Sequence, residues 1–214
     1  MDRVFRIAHG WRVRTTEELS GTLISDFIRP AVHAVPPGMA RQLGRCEVSV
    51  VEHLGSPSIA SRWTLTDTGM EVSLAMAAGD GHDIVLELLV CVGQALWEKL
   101  SQCQRKGYWL LLDDEISAGV PGEIDEEALK QKNLLLSSRS SATSRRRLER
   151  YGSASFAGTA AEYIHSLWHD VSVRTGPRFV PAEQLRRRLE LLARWYPPGR
   201  THPLFPPASR KRKS

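Results

Sequence analysis

The chain has 214 residues, 42% hydrophobic and 25% charged, which suits one globular domain with a sizeable core. No apolar run is long enough to span a bilayer, and Met1–His9 lacks the apolar segment of a signal peptide, so a cytoplasmic protein away from membranes is expected. The three cysteines, Cys46, Cys91 and Cys103, are odd in number and show no C-x-x-C spacing, which argues against a disulfide framework or a cysteine zinc site.

Thr15-Thr16-Glu17-Glu18 reads as a helix start, a Thr cap followed by acids where the helix dipole favours them. Leu19, Leu23, Phe27 and Ile28 share one face of that helix, and Pro30 ends or kinks it. Arg45–Val51 is β-branched and partly alternating, a strand. Arg62–Thr66 and Met70–Leu74 form a hairpin around Asp67-Thr68-Gly69, where the glycine is expected to adopt the left-handed conformation.

From about Asp83 the chain enters its most hydrophobic segment, with Ile84, Val85, Leu86, Leu88, Leu89, Val90, Val92, Leu96 and Leu100. A helix apolar on nearly every side belongs in the middle of a fold. Gly93 within it costs about 1 kcal/mol relative to alanine, and close approach of a neighbouring strand is the expected reason. Asp113-Asp114-Glu115 reads as a solvated acidic turn, and Ile124–Leu136 as an amphipathic helix. A mobile Ser/Arg-rich loop is expected near 137–144. Two further helices follow, one through Phe156, Tyr163 and Leu167, the other from Pro181 to Pro197. Residues 201–214 read as a disordered basic tail.

Two segments carry a family resemblance. Val90-Cys91-Val92-Gly93-Gln94-Ala95-Leu96 resembles the H-E-x-G-H-A-L segment of zinc metallopeptidases, with Val90 and Gln94 in place of the histidines and Cys91 in place of the glutamate. Gly158–Leu167 is similar to the helix on which gluzincins carry their third ligand, and Glu162 stands at that ligand's place. The resemblance implies a small zincin-like domain of α+β class. A short sheet with a hairpin would pack on the central buried helix, with further helices C-terminal, over residues 1–200. It also implies a pseudoenzyme. The motif works through two imidazoles on one Zn²⁺ and a carboxylate that activates water, and these degenerate positions supply neither. The expected role is then non-catalytic, the binding of a protein or peptide in the cleft where zincins hold substrate.

Two alternatives come from the residues alone. Glu162, His165 and His169 lie three and four apart on one helix, a spacing that could hold Zn²⁺ or Ni²⁺ in a relocated hydrolase site, with His82 or Asp83 as a further donor. Apart from that ion no cofactor is expected. The formal net charge of +5 draws on Arg139, Arg145, Arg146, Arg147, Arg150 and Arg210-Lys211-Arg212-Lys213, which would suit a nucleic-acid partner. Cys91 is expected to be a buried apolar residue, not a nucleophile.

Overall fold

Alternating burial decides the sheet. In β3 (Arg45–Val51) Cys46, Val48 and Val50 are buried, and in β5 (Gly69–Ala75) so are Met70, Val72 and Leu74. The period of two puts these side chains on one face, against the helices. β1 (Arg3–Arg6), β2 (Arg12–Thr15) and β4 (Ser61–Thr66) complete a five-stranded sheet in the order β1-β2-β3-β5-β4. β2, β3 and β5 run parallel, while β1 and β4 are antiparallel edges. The protein is therefore α+β. This computed structural model describes residues 3–15, 21–56, 58–137, 141–169 and 176–199.

The β4–β5 hairpin forms as expected, with Thr66 opposite Gly69. Gly69, however, has no positive φ. A Cβ there would fall 1.8 Å from the Arg45 carbonyl oxygen, so glycine serves the close approach of β5 to the start of β3. Thr15 ends β2 and caps no helix that is described, and residues 16–20, the expected helix start, lie outside the described residues. The chain is helical from Gly21, with a π turn over Leu23–Ile28 leading into α1 (Arg29–Ala34). Pro30 falls in the first turn of α1, where its missing N–H is tolerated. α2 (Pro37–Leu43) precedes β3.

α3 (Gly81–Lys99) lies between the sheet and the later helices, with Ile84, Val85, Leu88, Leu89, Val92 and Leu96 buried. Asp80 caps it by accepting from the backbone N–H groups of His82 and Asp83, and the Asp83 carboxylate accepts from the Asp80 N–H. Each fully buried aliphatic side chain contributes about 1.5–3 kcal/mol, so burial rather than the exposed cap holds α3 in place.

α4 (Gln102–Ser117) corrects the reading of Asp113-Asp114-Glu115 as a solvated turn. All three are helical, and Glu115 is buried. α5 (Glu126–Leu136) is capped by Asp125. α6 (Ser141–Ser166) begins inside the stretch expected to be a loop near 137–144, of which 138–140 lie outside the described residues. α6 packs along α3, and it explains Gly93. A Cβ on Gly93 would meet the Ala157 carbonyl oxygen at 2.6 Å, so the close neighbour is a helix and not the expected strand. α7 (Ala182–Trp195) closes the fold. The basic tail, 201–214, is outside the described residues.

Candidate functional site

One turn N-terminal of the Gly93 contact, residues of α3 and α6 line a cavity of about 230 Å³. Val90 and Leu86 of α3 face it from one side, Glu162 and Ala161 of α6 from another, and Ile124 and Phe179 close it. The cavity is smaller than the roughly 300–1,000 Å³ usual for a whole small-molecule ligand, and it suits a single side chain. Val90 and Glu162, the positions named by the two family-like segments, therefore share one wall system. Gln94, one turn further along α3, is half-buried and is not part of that wall. Cys91 is buried, with Ser61 of β4 as a hydrogen-bonding neighbour, and burial pushes its thiol up to about 11. An isopropyl group at position 90 has no lone pair and a protonated thiol at 91 is a poor base, so these residues do not fit the Zn²⁺ that the motif would carry. Cys46 is similarly pushed up to about 12.

The cavity is acidic. Among the described residues that line it, Glu87, Glu123, Asp125 and Glu162 are acidic and none is Lys or Arg, and of these Glu123 is paired with Arg188. Glu87 accepts a hydrogen bond from the Ser61 hydroxyl at 2.8 Å, which joins the cavity to the edge strand β4. Asp125 accepts from the Ala128 N–H at 2.7 Å, yet burial outweighs that bond and raises its carboxyl above the usual range. Gly158 leaves room for Asp125, whose Oδ2 would be 2.2 Å from an added Cβ.

Behind the cavity lies a buried polar network. The Arg188 guanidinium of α7 donates to both oxygens of Glu115 and of Glu123. Lys132 of α5 donates to the carbonyls of Val120 and Gly122 and lies 3.7 Å from Glu123. The Tyr151 hydroxyl donates to Glu123 at 2.5 Å, and Tyr108 shares hydrogen bonds with Ser155 and Thr159. Two cations face two carboxylates, so the cluster is formally neutral, and it ties α4, α5, α6 and α7 together. Its chemistry is structural: every charged member is enclosed. A sequence signal for it exists. Arg188 occupies a position of the apolar stripe Leu185, Leu189 and Leu192, and a charge within such a stripe needs a buried partner.

The structure divides the group Glu162, His165 and His169. Glu162 faces the cavity, whereas His165 turns to the start of α3, where its Nε2 lies 3.1 Å from Nε2 of His82. His169 is exposed beside them, and Asp83 is engaged in the α3 cap. Among the described residues, with the side chains as they stand, no group of three or more His, Cys, Asp or Glu could hold a metal ion. Of the basic cluster, Arg145 and Arg146 are exposed on α6, and Arg147 donates to the Leu134 carbonyl at 2.7 Å. Arg139 lies outside the described residues. A larger hollow of about 560 Å³ near His9, His33 and Trp168 has no carboxylate among the described residues that line it, and it borders Gly199, where the described residues end.

Comparison with protein families, with curated proteins and with solved structures returned no match. Among the described residues no helix is long and apolar enough to cross a membrane.

Proposed function

We propose that the protein is a catalytically inactive, zincin-like module that binds a protein or peptide partner, and that the cavity between α3 and α6 takes one side chain of that partner. The reading rests on one observation, that Val90 and Glu162 from two separate helices face the same cavity. An aliphatic stem would lie along Leu86, Val90 and Phe179, and a cationic end would meet Glu87 and Glu162. A lysine or arginine meets both requirements. The rest of the peptide would add to β4, an edge strand whose outer backbone groups can pair with an extended chain, and the Ser61–Glu87 hydrogen bond marks where that edge reaches the cavity. The role is binding, because no side chain at positions 90, 91 or 94 can activate water.

An array of short peptides in which one position is varied through all residue types tests the reading. Selective retention of peptides with Lys or Arg at one position supports it. Retention that ignores that position, or zinc-dependent cleavage of the peptides lost on Glu162→Ala, would overturn it.

A further inference from the structure

His82 opens α3 and His165 ends α6, and the packing of those helices brings the two imidazoles together. Their ring centres are 5.1 Å apart and nearly perpendicular. His169, four residues on, places its ring 5.2 Å from that of His165 and 6.0 Å from that of His82. Three imidazoles bound through nitrogen to one tetrahedral metal at about 2.0–2.1 Å have those nitrogens about 3.3 Å apart and ring centres about 5 Å apart. Two sides of the triangle match that arrangement, and the Nε2–Nε2 separation of 3.1 Å, a hydrogen bond as the rings stand, is close to it. The third side is long by about an ångström, and it ends on His169, which is exposed and can change rotamer at little cost. His165 is buried and His82 half-buried, so the site would have a fixed floor and an open mouth.

We propose that His82, His165 and His169 bind one divalent transition cation of the Zn²⁺ type, with a fourth position open to water. Three neutral imidazoles select such borderline ions over Mg²⁺ and Ca²⁺, which prefer oxygen donors. The ion would lock the first turn of α3 to the end of α6. The site shares no ligand with the peptide cavity, so either proposal can fail without the other.

Calorimetric titration of the untagged protein with Zn²⁺, at a pH where imidazole is neutral, tests it. The expected result is one equivalent bound, with affinity falling about tenfold or more in each of His169→Ala and His82→Ala. His169 is exposed, so its variant keeps the fold, and His165 is left intact because it is buried. Trp168, whose ring lies 4.2 Å from that of His169, supplies a second reading: Ni²⁺ or Cu²⁺ should quench its fluorescence in the wild type and not in His169→Ala. Co²⁺ should give the visible absorption of a tetrahedral site. Absence of saturable binding at one equivalent, or Zn²⁺ affinity unchanged in either variant, would overturn the three-histidine site.

Discussion

Gly93 of α3 and Ala157 of α6 touch backbone to backbone, and a methyl group on Gly93 would fall 2.6 Å from the Ala157 carbonyl oxygen and 2.7 Å from its Cα. Neither atom belongs to a flexible side chain, so the helices themselves must move to admit a Cβ. Gly93→Ala should cost about 1–3 kcal/mol despite the better helix propensity of alanine. In a protein of this size that lowers the melting temperature by several degrees, roughly 2–4 °C for each kcal/mol. A thermal scan in which Gly93→Ala equals or exceeds the wild type would show that the contact is not tight.

Removal of Arg188 leaves Glu115 and Glu123 enclosed without their main counter-charge. Arg188→Ala should therefore destabilise by about 3–5 kcal/mol, far more than loss of the exposed pair between Arg186 and Glu190, worth about 1 kcal/mol or less. Denaturant unfolding of Arg188→Ala beside Arg186→Ala separates the two. Equal midpoints would mean that the buried network is not an ionic clamp.

The pH dependence follows from two carboxyls with opposite shifts. Burial alone would raise Glu123, but the charge and hydrogen bonds of Arg188, with Tyr151 and Lys132, outweigh it and hold Glu123 below the usual range. A depressed folded pKa gives stability that is present above the unfolded value of about 4.3 and is lost as pH falls through the folded one. Asp125 is raised, chiefly by burial, so its contribution is present below about pH 3.9 and is lost as pH rises through its folded pKa. Asp125→Asn keeps an acceptor for the Ala128 N–H and removes the buried charge. It should be at least as stable as the wild type at neutral pH, with the advantage disappearing in acid. Urea curves at both pH values check this, and a clear loss at neutral pH would contradict it.

Peptide binding as the main role predicts little affinity for nucleic acid. Arg145 and Arg146 are exposed, but Arg147 is held against the Leu134 carbonyl. Binding to DNA or RNA should stay in the weak range of roughly 10⁻⁴ to 10⁻⁶ M and vanish as salt rises. Sub-micromolar affinity at physiological salt, lost when Arg145, Arg146 and Arg147 become alanine, would move that alternative ahead of peptide binding.

The parts of the fold legible in the sequence were those with a long or regular pattern. α3 is apolar on nearly every side, the hairpin alternates, and α7 repeats leucine at helical spacing. β1 and β2 are four-residue strands among arginines, and in β2 only Val13 and Thr15 are buried, too little for periodicity to show. α4 was hidden because its buried face, Tyr108, Leu112 and Glu115, ends on a carboxylate whose partner Arg188 lies seventy-three positions away. Of the site, Val90 and Glu162 could be named from local motifs. That Glu162 and His165 look to different neighbours could not, because it depends on where α6 crosses α3.

Titration of one lysine-containing array peptide into the wild type, Val90→Trp and the double variant Glu87→Gln with Glu162→Gln tests the central claim most directly. The indole would fill the cavity of about 230 Å³, and the amides would remove its charge while keeping its shape. Both variants should lose about tenfold or more in affinity, the approximate worth of one seated side chain, while remaining folded by circular dichroism. Equal affinity for all three proteins would show that the peptide does not enter the cavity between Val90 and Glu162, and would contradict the account.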